Sequence, residues 1–138
     1  MIVLYILLSI VALTIICTTQ EPKEFTELRD RYDKFVKLLP REFYTLKKKS
    51  ILTCLTRQGE PGYNVNKGYE ISVCYDKDVN AMFHVLLHEL AHCTVKEYKH
   101  SQEFWGNLTK LRDVAVKNGI YTPITTPKKF CGDTKISD

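Results

Sequence analysis

His88, Glu89 and His92 stand in the order H-E-x-x-H, within His88-Glu89-Leu90-Ala91-His92. Residues four apart share a helix face, so two imidazoles there can meet one tetrahedral zinc ion at ~2.0–2.1 Å. Glu89 adjoins a ligand and can hydrogen-bond a water at the metal's open position. Zinc brings the pKa of such a water from ~15.7 to about 7. The carboxylate then takes its proton and hands it to a leaving amine, which is the chemistry of peptide-bond hydrolysis.

Two histidines leave a catalytic zinc one protein ligand short, and His100 is the candidate for the third. On a continuous helix it would lie about 12 Å along the axis from His92, out of reach. The helix must therefore end between them. Ser101 suits an N-cap and Glu103 a first helical turn, so a new helix is expected just after His100. Glu103 is an alternative ligand. Glu97 follows His92 by only five residues, too few for a ligand on a following helix. His84 precedes His88 by four residues on the same face, as a ligand of a different triad, a supporting residue or an exposed one. Cys93 points away and reads as a packed thiol.

The elements that must position these residues are legible around them. Ala81 to Cys93 is apolar on nearly every side apart from its histidines and Glu89, as a helix buried in mid-domain would be. Polar groups in such a helix are costly unless something satisfies them, and a metal would. A second helix is expected from Gln102 to Asn118, with Phe104, Leu108, Leu111 and Ala115 inward and Gly119 at its end. Phe25, Leu28, Tyr32, Phe35 and Leu39 recur at helical spacing and stop at Pro40. Ile51 to Thr56 reads as a strand. Gly59, Pro61 and Gly62 read as turn formers. Tyr69 to Tyr75 alternates as a half-buried strand. The tail from Ile120 to Asp138, with Pro123, Pro127 and Gly132, is expected to be extended.

The 138 residues suit one domain, and its net charge of +4 is too small to argue for nucleic acid by itself. Lys47 to Lys49 reads as a solvated loop. Met1 to Thr19 carries no charged side chain, and Ile2 to Cys17 is almost unbroken apolar sequence. Roughly nineteen helical residues reach about 28 Å, close to the hydrocarbon thickness of a bilayer. The expected organisation is thus a transmembrane anchor over residues 1–19 and a domain over 20–138. Lys23, Arg29, Arg31, Lys34 and Lys37 follow the run and place the body on the cytoplasmic side. Cys54, Cys74, Cys93 and Cys131 match no CxxC pattern. For that topology they read as buried thiols, although Cys54 and Cys74 could face each other across a strand pair.

The stretch HVLLHELAHCTVKEYKHSQEFWGNL resembles the WLM and SprT-like zinc metallopeptidases, whose pattern is H-E-L-x-H, a short connection, then a His and an aromatic. GYNVNKGYEISVC and IYTPITTPKKFCG are similar to flanks in the WLM-like proteins of large DNA viruses. Lys99 stands where relatives commonly have Gly before the third His. The resemblance implies an α+β fold: a small zincin-like domain with an active-site helix packed on a short β-sheet, beside the N-terminal transmembrane helix. It also implies Zn2+ held by His88, His92 and His100, with Glu89 as general base and a protein or peptide as substrate. Cellular relatives act at DNA. The expected membrane segment points instead to a virion or virus-factory membrane. A membrane or virion assembly component that keeps the fold without catalysis is the alternative.

Overall fold

The spacing of Phe25, Leu28, Tyr32 and Phe35 becomes one buried stripe of a helix in the computed structural model, which describes every residue except Gln58 and the side chains of residues 16–19. This helix, α2 (Lys23–Leu38), follows α1 (Ile2–Thr19). It stops where Leu39 turns extended ahead of Pro40, as the proline ring requires of the residue before it. A short 3₁₀ helix over Arg41–Lys47, which carried no periodic signal, then brings Phe43 and Leu46 into the core.

Three strands form the main sheet: β1 (Ile51–Leu55), β2 (Gly62–Val65) and β3 (Glu70–Cys74), in the order β1-β3-β2. β1 runs parallel to β3, with Ile51 opposite Glu70, and β2 runs antiparallel to it, with Gly62 opposite Val73. The β2–β3 hairpin turns through Asn66, Lys67 and Gly68, all at positive φ. β3 is therefore central. Its residues Ile71 to Cys74 are all buried, not alternately so, because the strand is covered on both faces. β2 begins at Gly62, which by sequence reads as a turn former. Its glycine is required by close approach: a Cβ on Gly62 would stand 2.8 Å from Val85 Cγ1 and 2.9 Å from the Ser72 carbonyl oxygen.

The apolar helix α3 (Val79–His92) packs on β2, β3 and α2, and α4 (Gln102–Lys117) packs across it. Phe83 is wholly buried and meets Phe35 edge to face at 5.5 Å. The tail is extended as expected but also forms a hairpin, β4 (Lys128–Phe130) with β5 (Thr134–Ile136). Ile120, Tyr121, Ile124, Phe130 and Ile136 are buried from it.

Two expectations are corrected here. The α+β domain is present, but among the described residues no helix is long and apolar enough to cross a membrane. The described side chains of α1 are exposed and end at Ile15. The last residues of the apolar run, Ile16 and Cys17, lie outside the described side chains. A transmembrane anchor over residues 1–19, a single-pass topology and a cytoplasmic-facing body are therefore not retained. The cysteines are the second correction. Cys74 is joined to Cys131, with Cα atoms 6.0 Å apart, and Cys54 and Cys93 are free thiols. Cys54 does sit beside β3, but opposite Val73, with Leu55 opposite Cys74.

The start of α3 carries a pH-sensitive link. The Asp78 carboxylate accepts the Ala81 amide at 3.2 Å as the N-cap and pairs with Lys128, which ties β4 to the helix. Burial pushes its pKa up, but the Lys128 and Ala81 hydrogen bonds outweigh this and hold it below 3.8. A depressed carboxyl contributes stability that is complete above its unfolded pKa and disappears as pH falls through the folded one. Unfolding titrations from pH 5 to pH 2 should therefore show acid destabilisation that is partly flattened in Asp78→Asn, which keeps the cap and removes the charge. An unchanged profile in the variant excludes this link as a source of it.

Candidate metal centre

The two motif histidines project from the last turns of α3, one turn apart, with their rings edge to face at 5.0 Å. α3 ends at once after His92, and the chain turns back through residues 93–101 to α4. Two devices hold that return. The Lys67 ammonium, at the tip of the β2–β3 turn, donates to the carbonyls of His92 (3.3 Å), Val95 (3.0 Å) and Glu97. The Asn107 amide of α4 donates to Thr94 Oγ1 at 2.9 Å. Ser101 then caps α4 by accepting the Phe104 amide at 3.2 Å. His100, immediately before the cap, is thereby carried back over α3.

The three imidazoles converge. His100 Nε2 lies 3.1 Å from His88 Nε2 and 3.2 Å from His92 Nε2. The buried ring of Phe104 backs all three at 4.5 to 5.1 Å between centroids. Burial, then the neighbouring His92 and His100, hold His88 down to about 4, and burial also lowers His92. Neutral imidazoles with facing lone pairs are what a divalent cation needs. Tetrahedral zinc with arms of ~2.0–2.1 Å keeps ligand nitrogens ~3.3 Å apart, close to the separations of His100 from His88 and from His92, and the donor set suits the ion.

Glu89 is buried next to this cluster. Burial pushes its carboxyl up to about 7; the Asn64 hydrogen bond works against that shift and the nearby Glu60 charge adds to it. Asn64 Nδ2 on β2 donates to the Glu89 carbonyl at 2.7 Å and to Oε2 at 3.4 Å. A cleft of about 470 Å³ opens over His88, Glu89, His92 and His100, with Glu60–Gly62 on one side and Lys135–Ser137 of the tail hairpin on another. A second hollow, beyond Gly62 and Glu89, is lined by Tyr63, Asn64, Lys67 and Tyr98.

The alternative ligands do not join the cluster. His84 lines the cleft, but its Nδ1 is engaged by the Tyr121 hydroxyl at 3.0 Å and the Asp138 carboxylate at 3.3 Å. Among the described residues, the groups that could share a metal are His88, His92 and His100, without Glu103 or Glu97. Cys93 faces away as expected, toward Glu89's carbonyl and Asn64, and burial pushes its thiol up. Sequence reasoning missed Asn64 and Lys67. Both act through a hairpin whose first strand was not recognised, so no local pattern marked them.

The chain is 30% identical over 118 residues to an uncharacterized protein of Acanthamoeba polyphaga mimivirus, covering 76% of this chain and 60% of that protein. The chain thus spans about 60% of the length of that relative. No family model matches the sequence. No solved structure matches it.

Proposed function

We propose that the protein is a zinc-dependent peptidase. The observation that carries this reading is the convergence of three imidazoles beside a buried carboxyl, in an open cleft. His88, His92 and His100 would hold the ion, leaving its fourth position to the cleft. Zinc bound there would supply Lewis acidity at neutral pH. Glu89 receives and returns a proton: Asn64 engages Oε2, and Oε1 has no partner among the described residues. A carboxyl poised near 7 suits both halves of that exchange. The cleft lies between Glu60–Gly62 and the Lys135–Ser137 end of the tail, where a polypeptide substrate could enter. The likeness of the His84–Leu108 stretch to WLM and SprT-like metallopeptidases agrees with this reading.

A binding module that keeps the fold without chemistry is the competing reading. Glu89 weighs against it, because a structural zinc site has no use for a carboxyl in its cleft and usually closes its fourth position with a protein ligand. The test is metal analysis on the purified chain, together with cleavage of an unfolded protein such as carboxymethylated lysozyme. One zinc per chain is expected, with cleavage lost on chelation and restored by zinc. A folded sample that neither takes up zinc nor cleaves would sink the proposal.

A further inference from the structure

His84 lies one helical turn before His88 and lines the same cleft, yet it is not part of the metal cluster. One edge of its ring is anchored. Nδ1 meets the Tyr121 hydroxyl at 3.0 Å and Asp138 Oδ1 at 3.3 Å. Asp138 is itself fixed: Oδ2 accepts the Tyr121 hydroxyl and the Ile124 amide (2.7 Å), and Oδ1 pairs with Arg112 at 3.1 Å. The Tyr121 proton thus goes to Asp138, which leaves His84 Nδ1 as the donor and sets the tautomer. Burial lowers the His84 pKa against the pull of Asp138, so the ring is neutral at pH 7 and Nε2 carries a lone pair.

The other edge is open. Nε2 has no hydrogen-bond partner among the described residues. It is not sealed in either, since Ser72 Oγ is the one fully buried side-chain nitrogen or oxygen there that lacks a partner. An oriented acceptor is therefore accessible on a residue that lines the cleft beside the proposed metal. Peptide N–H groups are the donors a polypeptide would bring to it.

Resting on the peptidase reading, we propose that His84 is a substrate-positioning residue whose Nε2 accepts a hydrogen bond from a backbone N–H of the bound polypeptide. Tyr121 and Asp138 act through it by fixing the ring. On α3, His84 stands one helical turn (~5.4 Å) before the metal ligand His88. It would therefore set the register of the chain across the cleft and not take part in bond breaking.

Asparagine separates the two edges of the ring. Its amide nitrogen occupies the place of Nδ1 and keeps the link to Tyr121 and Asp138, but nothing replaces Nε2. Binding of carboxymethylated lysozyme would be measured on the zinc-loaded full chain carrying Glu89→Gln, so that the probe is not consumed. Adding His84→Asn should weaken binding roughly tenfold, the scale of one hydrogen bond to a partly buried acceptor, with Tm and zinc content unchanged. Equal affinity with and without the second substitution overturns the role of His84. Should His84→Asn not fold, His84→Gln and His84→Leu are compared instead: Gln keeps an acceptor at the cleft edge and Leu has none, so weaker binding by the Leu variant supports the role and equal affinity of the two overturns it. Absence of zinc or of any probe binding in the Glu89→Gln parent marks failure of the peptidase reading itself, and this inference falls with it.

Discussion

Glu89→Gln is expected to lower cleavage of an unfolded protein by about 10²–10⁴-fold, the usual worth of a positioned general base, while zinc stays at one per chain. The substitution is nearly isosteric. The Asn64 contacts allow it, because the stronger of the two, at 2.7 Å, goes to the Glu89 main-chain carbonyl and not to the side chain. The three imidazoles have their own supports in Phe104, the Lys67-held return and the Ser101 cap, none of which passes through Glu89. Removing a buried carboxyl held up near 7 also relieves a desolvation cost, so the variant should be at least as stable as the parent. Cleavage and metal content are read on the same sample. Retained activity would show that the proton is carried elsewhere, whereas loss of zinc with loss of activity would show that Glu89 shapes the metal site instead.

The second large effect concerns stability. The Cys74–Cys131 bond closes a loop of 57 residues that contains α3, the return and α4. On the chain-entropy account, a cross-link of that span stabilises the folded state by about 4 kcal/mol. The paired substitution Cys74→Ala with Cys131→Ala is therefore expected to lower Tm by roughly 10–15 °C. Reductant should lower the parent's Tm by a similar amount and leave the variant's alone. Activity should fall as well, because Cys131 anchors the hairpin whose Lys135–Ser137 end forms a wall of the cleft. A shift below about 2 °C in both comparisons would mean that the tail is held by its other contacts, chiefly the Asp138 hydrogen bonds to Tyr121 and Ile124 and the Lys128–Asp78 pair.

Much of the frame was readable in advance because its causes are local. The stripes of α2 and α4, the stop at Pro40 and the Ser101 cap depend on residues within one or two turns of each other. So does the pairing of His88 with His92 on one helix face. His100 was legible as a partner for the same reason: a cap directly after it forces the chain to break and return. The composition of α3 fixed its burial, since a helix apolar on nearly all sides has no solvent face to offer.

Tertiary structure decided what depends on distant segments meeting. β2 and the 3₁₀ helix carry no periodicity and exist through pairing and packing; Gly62 reads as a turn former by itself and as a strand residue only once Val85 and the Ser72 carbonyl lie against it. The alternation from Tyr69 to Tyr75 describes a half-buried strand, and a central position in the sheet buried both faces of β3. The disulfide partner of Cys74 lies 57 residues away, and nothing in the spacing separated Cys131 from Cys54. Asn64, Lys67, Tyr121 and Asp138 are ordinary polar residues in sequence. They acquire roles at the cleft because a hairpin and a tail fold back onto α3, and no local rule reports where such a segment lands.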